Sequence, residues 1–203
     1  HADTGKRSGH VRTVDRSQML DRRSGSSTSD CSGSISVEPM SEAAAIDPLH
    51  FRNVMGQVPT CVTVVTAMVD DEPVAMVIGS FVSVSLEPPL AGFFCTTTSA
   101  TWEQLRSADV MGVNVLGADQ IDISNACMRP PADRFEGLDW SMVDGAPKIA
   151  GTTAWLTLTP NQVIDAGDHE FALCNVTHME APEEPSEPVI FYGGGYRTLA
   201  PKE

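Results

Sequence analysis

The chain has 203 residues, of which 41% are hydrophobic, and this is enough to bury the core of one domain of ordinary size. Its 13 Lys and Arg stand against 27 Asp and Glu, and the net charge of −14 argues against a nucleic-acid partner or an anionic membrane surface. No apolar run approaches the roughly 20 residues that are needed to cross a bilayer.

The first 46 residues differ in composition from the rest of the chain. They include ten serines and the run SGSSTSDCSGS, without sustained hydrophobic periodicity. Such a segment buries too little apolar surface to offset its ordering entropy, so we predict a flexible serine-rich tail over 1–46 and a folded domain over 47–203. The domain then holds seven cationic side chains against 21 acidic ones. An anionic ligand would therefore be bound mostly by backbone N–H groups and hydroxyls.

The folded part opens with a predicted short helix, followed by a β-hairpin. In DPLHFRNVMGQV, Asp47 suits a helix N-cap and Pro48 suits the first helical position. The helix has a short amphipathic face made of Leu49, Phe51, Val54 and Met55. CVTVVTAMV is rich in β-branched residues and predicts a strand, DDEP predicts a turn, and VAMVIGSFVSVS predicts the strand that pairs back.

Further strands and two short helices follow this hairpin. LAGFFCTT and VMGVNVL predict strands, with the helix SATWEQLRSA between them and Ser99 as its cap. ADQIDISNACM predicts another helix, and RPPADRFEGLDW predicts a loop. TAWLTLTPNQVID, HEFALCNVTHME and PVIFYGGGYR supply three more β segments. Because the strands follow one another without regular β–helix–β alternation, we predict a mainly β, antiparallel barrel or sandwich.

The cysteines give no sign of a disulfide framework or a zinc site, because they are scattered and form no CxxC pair. They are Cys31, Cys61, Cys95, Cys127 and Cys174. Three of them fall in apolar strands, where a free cysteine usually is a small buried hydrophobe. We expect a reducing, cytoplasmic environment and no metal.

The serines at 80, 83 and 85 interrupt an otherwise apolar strand that stops at a double proline. On a regular strand Ser83 and Ser85 face one side and Ser80 faces the other. One interpretation is a half-exposed strand whose polar residues point outward. The other is a hydroxyl-lined strand end whose Pro-Pro corner leaves backbone donors free for a phosphate. The pattern of residues alone leaves both open.

A longer stretch, VTVVTAMVDDEPVAMVIGSFVSVSLEPPLAGFFCTTTSATWEQLRSADVMGVNVLGADQ, resembles the core of the flavin reductase-like family. These are the short NAD(P)H:flavin reductases of two-component monooxygenases. RFEGLDW, AWL, AGDHEF and FYGGGYR are similar to further family segments in the same order, so the resemblance covers about 49–198. It implies a split β-barrel with a few short helices that binds FMN or FAD. It also implies a homodimer with each flavin near the subunit interface.

The resemblance implies a set of cofactor-binding residues. Those placed beside the flavin ring are Met76, Val77, Ile78, Gly79 and Ser80, and those nearer the phosphate are Ser83 and Ser85. TTTSATW matches a phosphate-binding loop in which Ser99 and Thr101 offer hydroxyls and the following helix offers its amide dipole. A plain helix cap is the alternative role for Ser99, and both roles can hold together. Arg134 is either a phosphate partner or part of a surface salt bridge.

His169 is the candidate catalytic residue, because GDH at 167–169 matches a family motif near the flavin edge and the nicotinamide site. Hydride transfer between stacked rings roughly 3–3.5 Å apart needs no protein nucleophile. The resemblance therefore implies that His169 acts by positioning or electrostatics, and Asp168 is interpreted as a turn residue. Tyr196 is a candidate for nicotinamide contact. The GGG before it is not a phosphate loop, because nothing helical follows.

Together these features predict an NAD(P)H-dependent flavin reductase that supplies reduced FAD or FMN to a partner monooxygenase. NADH is favoured over NADPH, because the chain lacks the Arg or Lys cluster that usually binds a 2′-phosphate.

Three residues differ from the family pattern. Val77, Gly79 and Val82 replace polar residues, and each lost hydrogen bond to the flavin costs about 0.5–1.5 kcal/mol of binding free energy. These departures leave two alternatives. One is a repurposed enzyme whose pocket binds another substrate, and the other is a non-catalytic flavin-binding protein that docks a partner.

Overall fold

The computed structural model describes residues 46–184 and 186–199, so the predicted serine-rich tail lies outside the described residues. Three α-helices occupy Pro48–Met55 (α1), Ala100–Leu105 (α2) and Ile121–Cys127 (α3), and a 3₁₀ turn occupies Pro131–Asp133. The strands of the described part are Thr60–Cys61 (β1), Thr63–Val69 (β2), Glu72–Ile78 (β3), Val82–Ser85 (β4), Leu90–Thr96 (β5), Met111–Val115 (β6), Trp140–Val143 (β7), Ala146–Ile149 (β8), Ala154–Ala166 (β9), His169–Glu180 (β10), Ile190–Tyr192 (β11) and Gly195–Arg197 (β12). None of the described helices is long and apolar enough to span a membrane.

Most predicted helices and strands are present, and the predicted cap and turn residues have the expected roles. The Asp47 carboxylate accepts hydrogen bonds from the backbone N–H groups of Leu49 and His50, and this starts α1. The β2–β3 hairpin turns at Asp70 and Asp71, both of which have positive φ, as a two-residue primed turn requires. All nine strand pairings within the described residues are antiparallel, as predicted.

The structure differs from the prediction in three places. The single strand expected over VAMVIGSFVSVS is broken into β3 and β4 by residues 79–81. The region after the RPPADRFEGLDW loop contains a hairpin, β7–β8, that the sequence analysis did not predict. The C-terminal segment PVIFYGGGYR is also a hairpin, because Gly193 and Gly194 adopt positive φ between β11 and β12.

The main sheet has seven strands in the order β3-β2-β6-β9-β10-β5-β4. In a flat sheet of this size the edge strands would lie about 29 Å apart, since neighbouring strands are about 4.8 Å apart. Here the edge strands β3 and β4 are joined by residues 79–81, which can span only about 14 Å. The sheet therefore has to curl until its edges meet, which makes a barrel.

The barrel interior and its outer face hold two hydrophobic clusters. The first surrounds Phe93, Trp102 and Leu105 and packs α2 against the sheet. The second surrounds Val64, Leu116, Ile149 and Val189, and it packs α3, β8 and the C-terminal segment on the other face. Burying each such side chain contributes about 1.5–3 kcal/mol, so these clusters supply the main stabilisation of the domain.

Helix α1 packs much less than its amphipathic sequence suggests, because none of its residues is buried. Its C-terminal end is attached to the β11–β12 hairpin. The Gly193 N–H donates to the Gly56 carbonyl at 2.9 Å, and the Tyr192 hydroxyl donates to the Gln57 side-chain carbonyl at 2.9 Å. The helix is therefore anchored at one end and leaves its apolar side chains exposed.

Candidate functional site

The bend at residues 79–81 is the point where the two edges of the barrel meet. The Ser80 hydroxyl donates to the Phe94 carbonyl oxygen at 3.2 Å and accepts from the Phe94 N–H at 2.9 Å. Both bonds go to the main chain of β5, so this side chain joins the bend to the neighbouring strand. A hydroxyl has one proton and two lone pairs, so Ser80 retains a single free lone pair for a ligand.

The predicted ring-contacting residues before this bend lie on an edge strand. Met76 packs against the first core cluster and Val77 against the second, while the Ile78 side chain is 3% exposed. Ile78 can therefore reach a ligand only through its main chain. Gly79 is exposed, and it marks the point where the strand leaves the covered part of the sheet.

The main chain of β3 has a free side. The Ile78 carbonyl faces β2, where it accepts a hydrogen bond from the Thr63 hydroxyl at 2.9 Å. The Ala75 carbonyl faces away from β2, because it accepts from the Arg134 guanidinium at 2.6 Å. Successive residues alternate in direction, so the N–H and C=O of Val77 also face the free edge. The strand can thus offer backbone donors and acceptors to a ligand without polar side chains.

Ser83 and Ser85 do not share a face, contrary to the expectation from strict alternation. Ser83 pairs with Ala91 and Ser85 pairs with Leu90, so Val84 is an extra residue in a β-bulge. Directly paired residues lie on the same face of a sheet, and Leu90 and Ala91 are on opposite faces. The bulge therefore leaves Ser83 exposed and turns Ser85 to the other, half-buried side.

The TTTSATW segment forms the loop that starts α2. The Ser99 hydroxyl accepts from the Trp102 N–H at 3.2 Å, which confirms the predicted helix cap. The N–H and the hydroxyl of Thr97 both donate to the Asp168 carbonyl, at 3.1 and 3.2 Å. This loop is thereby fixed against the β9–β10 turn, which carries His169.

Arg134 connects three parts of the candidate site. Its Nη1 donates to the Ala75 carbonyl at 2.6 Å and to the Thr101 hydroxyl at 3.0 Å, and its Nε donates to the Arg129 carbonyl at 2.9 Å. Among the described residues its Nη2 has no hydrogen-bond partner. Arg134 and Thr101, predicted separately, are therefore in direct contact, and one side of the guanidinium stays available to an anion.

His169 lies in a cleft with a volume of about 930 Å³. The cleft is lined by Ile46, Pro48, Phe51, Arg52, Met55, Gly56, Phe94, Ala166, Asp168 and His169. It lies between α1 on one side and β5 with the β9–β10 turn on the other. The contribution of α1 was not predicted, because no local signal in the sequence relates residues 46–56 to residue 169.

The His169 ring is held by its neighbour. The distance between His169 Nδ1 and Asp168 Oδ1 is 2.7 Å. This hydrogen bond, together with the charge of the histidine, lowers the pKa of Asp168 below its usual value. With Nδ1 directed to the carboxylate, Nε2 is the ring nitrogen left free for a ligand.

Tyr196 is not among the residues that line this cleft. Its hydroxyl makes a 2.8 Å hydrogen bond with the Ser124 hydroxyl of α3, and its ring packs edge-on against Phe191 with centroids 5.7 Å apart. It also belongs to the second core cluster. These contacts give Tyr196 a packing role at the base of the C-terminal hairpin.

Glu170 is a structural link that the sequence analysis missed. Its carboxylate accepts from the Trp102 indole N–H at 2.6 Å and from Arg106 at 3.3 Å. The residue next to His169 is therefore bonded to Trp102 of α2, the helix that follows the threonine-rich loop, and to Arg106 at the end of that helix. No sequence pattern signals a contact between residues this far apart in the chain.

A second cavity, of about 490 Å³, lies at the far end of β10 from His169. The ion pair between Lys148 and Glu180 borders it, as does the acidic loop that includes Glu184. Trp155 also borders it, and its buried indole nitrogen has no partner among the described residues. The acidic loop therefore lies away from the His169 cleft.

The described cysteines are unsuited to nucleophilic chemistry. Burial raises the pKa of Cys95 to about 12 and the pKa of Cys127 and Cys174 to about 11. The pKa of Cys61 is also raised by burial. Since the thiolate is the reactive form, these four side chains are protonated at neutral pH. Cys31 lies outside the described residues.

Comparison with known proteins gives one consistent result. Residues 55–200 match the family model of the flavin reductase like domain. A flavin reductase of Pseudomonas putida is 39% identical over 77% of this chain and 93% of its own length. The reductase subunit of a flavin-dependent monooxygenase of Mycobacterium tuberculosis is 37% identical over 79% of this chain and 87% of its own.

A solved structure extends the comparison to three dimensions. The NADH:FAD oxidoreductase of Streptomyces globisporus, in complex with NAD and FAD fragments, superposes with a TM-score of 0.72. It is 34% identical and covers 78% of this chain and 98% of its own. The similarity thus spans nearly the whole described part of the chain.

Proposed function

Because the chain belongs to the flavin reductase-like family, we propose that it reduces FAD or FMN with NADH and supplies the reduced flavin to a partner monooxygenase. The observation that carries this proposal is the cleft of about 930 Å³ that holds His169. A space of this size accommodates two stacked aromatic rings. Pockets for ligands of such size commonly measure about 300–1,000 Å³.

The predicted phosphate contacts do not line the His169 cleft, and they offer donors for the phosphate end of a flavin. The free Nη2 of Arg134 and the hydroxyl protons of Ser99 and Thr101 are donors that the fold has not used up. The ring would lie beside Phe94, which lines the cleft and is bonded to Ser80 of the bend after β3. From there it would reach the free edge of β3, where Val77 offers its main-chain N–H and C=O. This arrangement explains how a domain with few cations holds an anionic cofactor.

The protein's own contribution is to position the rings rather than to react. A flavin held in the cleft would supply the hydride-accepting chemistry, with the nicotinamide as donor. His169, with Nδ1 held by Asp168, offers Nε2 to the cleft as a hydrogen-bonding group of fixed orientation. Phe51, Met55 and Phe94 line the same cleft with apolar surface, which excludes water from the ring faces.

We propose NADH rather than NADPH as the reductant. Arg52 is the single cationic residue among those that line the cleft, and no Lys lines it. A 2′-phosphate is usually bound by Arg side chains, so this lining favours the dinucleotide without that phosphate. The related Streptomyces protein is likewise described as an NADH:FAD oxidoreductase.

We further propose that the protein is a homodimer. Leu49 of α1 is 63% exposed and Leu86 after β4 is 86% exposed, and neither lines the cleft. Val54, Val82 and Val84 are also exposed. Exposed apolar side chains on α1, on β4 and in the turn after β4 favour a protein–protein contact, and we propose that a second copy covers them. The buried free thiols agree with a reducing, cytoplasmic location.

The direct test is NADH oxidation measured by absorbance, with and without added FAD or FMN. We expect NADH consumption that depends on added flavin and is slower with NADPH. Flavin binding without NADH consumption would instead identify a non-catalytic flavin-binding protein. Absence of both flavin binding and NADH consumption would refute the proposed function.

A further inference from the structure

One residue of the bend after β3, Gly79, has no side chain, and a side chain from β1 occupies the space in front of it. Gly79 has no Cβ, and a Cβ built there would lie 3.1 Å from the hydroxyl oxygen of Thr60 and 3.7 Å from its Cβ. The Thr60 side chain, from β1, therefore occupies the space in front of Gly79. A hydroxyl is present at this point of the bend, although it comes from a different part of the chain.

The other polar side chains around the bend already have partners in the protein. Ser80 uses its proton and one lone pair on the main chain of Phe94. The Thr63 hydroxyl donates to the Ile78 carbonyl, and the Cys61 thiol lies 3.9 and 3.7 Å from the carbonyls of Gly79 and Phe81. Of these side chains, only that of Thr60 makes no hydrogen bond within the described residues.

Thr60 is also held in place by its neighbours. Its backbone is part of the β1–β11 ladder, opposite Phe191, and its side chain is half-buried. A hydroxyl on a fixed strand loses little entropy when it binds a ligand, so its hydrogen bond is retained almost in full. A hydroxyl on an exposed loop would lose more entropy on binding, so its hydrogen bond would contribute less to affinity.

From this geometry we infer that Thr60 is a cofactor-binding residue, whose hydroxyl provides the side-chain hydrogen bond to the flavin that Gly79 cannot provide. The inference rests on the proposed function, since it assigns a residue to the same site. The inferred contact joins the Thr60 hydroxyl to the flavin at the bend, beside the free main-chain edge of β3. The Ser80 hydroxyl, in contrast, joins the bend to the main chain of β5.

The experiment measures flavin affinity of the full chain by fluorescence quenching with FAD and with FMN. Thr60→Val removes the hydroxyl and keeps the shape, and Thr60→Ser keeps the hydroxyl. Thr60→Val combined with Gly79→Ser returns a hydroxyl to the bend. Thr159→Val, a half-buried strand threonine elsewhere in the barrel, is the matched control. Thermal unfolding of each variant reports on structural damage.

We expect Thr60→Val to weaken flavin binding about two- to tenfold, the loss of one hydrogen bond, with an unchanged unfolding midpoint. Thr60→Ser should stay within about twofold of the parent, and the double variant should recover affinity. Unchanged affinity in Thr60→Val, or a loss that Thr60→Ser shares equally, would overturn the inference. If the parent protein binds neither flavin, it is the proposed function that fails.

Discussion

Arg134 donates a hydrogen bond to the Thr101 hydroxyl at 3.0 Å, and the same nitrogen binds the Ala75 carbonyl at 2.6 Å. One guanidinium thus fixes the position of α2 relative to the edge strand β3. Because its Nη2 has no partner among the described residues, the same side chain remains available for the proposed phosphate contact. Of the two roles left open by the sequence, a surface salt bridge of Arg134 is not found among the described residues, and the phosphate contact stays a proposal.

The first prediction concerns this arginine. Arg134→Ala should weaken flavin binding by about tenfold and lower the free energy of unfolding by about 1.5–3 kcal/mol, because a charged group loses its hydrogen bonds. Arg134→Lys should restore part of the stability but not the affinity, since an ammonium cannot reproduce the planar fork. Flavin titration and urea unfolding measure the two effects.

Arg129→Ala is the control for this prediction. Arg129 is an exposed arginine of the same loop, and only its main-chain carbonyl contacts Arg134. The Arg129 variant should bind flavin like the parent protein. Equal losses in the two variants would mean that the loop as a whole, rather than the Arg134 guanidinium, determines affinity.

The second prediction concerns His169. His169→Ala should lower the turnover of NADH oxidation by about ten- to hundredfold while the unfolding midpoint changes little, since misplaced rings react slowly. His178→Ala is a matched control on the same strand, because the two side chains are 45% and 46% exposed. Similar losses of turnover in both variants, or a loss of stability equal to the loss of turnover, would argue for a structural role of His169.

The third prediction concerns pH and the buried thiols. The pKa values of Cys127 and Cys174 rise from 9.0 to about 11, and that of Cys95 rises to about 12. A group whose pKa is raised by folding stabilises the native state below its unfolded pKa. That stability is lost as pH rises through the folded pKa. The free energy of unfolding should therefore fall between pH 9 and about 12, and Cys174→Ala should reduce the slope.

Thiol labelling gives an independent measurement of the same burial. Native protein at pH 7–8 should leave Cys95, Cys127 and Cys174 unmodified, because the reactive thiolate is scarce and the side chains are 1–2% exposed. Labelling in urea should modify all three. Rapid modification of these residues in the native protein, detected by mass spectrometry, would contradict their buried placement.

Local signals in the sequence predicted the elements but not how they meet. Caps at Asp47 and Ser99 and the turn at Asp70–Asp71 depend on neighbouring residues, and all are present. The break of one expected strand into β3 and β4 depends on barrel closure, which no local pattern encodes. A continuous strand would keep the two edges of the sheet apart.

Only part of the candidate site was predicted, because several of its contacts join residues that are distant in the sequence. The resemblance pointed to His169, Thr101 and Arg134, and the structure brings Thr101 and Arg134 into contact. The links from Glu170 to Trp102 and from α1 to the His169 cleft join residues distant in sequence, so they were missed. The Val84 bulge, which separates Ser83 from Ser85, could not be read from the alternation of the strand.

The fourth prediction concerns the close approach of β6 and β9. A Cβ at position 112 would overlap the ring of Trp155 and lie 2.7 Å from the Thr66 hydroxyl. Gly112→Ala should therefore destabilise the domain by about 1–3 kcal/mol through overpacking. Gly195→Ala is the control, because its nearest neighbour is the exposed end of Arg197. A stable Gly112→Ala variant in urea unfolding would show that the Trp155 ring can move aside.

The last prediction tests the homodimer through the exposed side of α1. Leu49 and Val54 are 63% and 52% exposed and lie outside the His169 cleft. Replacing both by glutamate should raise the dimer dissociation constant by about a hundredfold, because two charges would be buried in an apolar contact. Light scattering coupled to size-exclusion chromatography measures the mass. A parent protein that is monomeric, or a double variant that stays dimeric, would contradict this interface. If the dimer dissociates and flavin binding falls with it, the site needs the second copy to be complete.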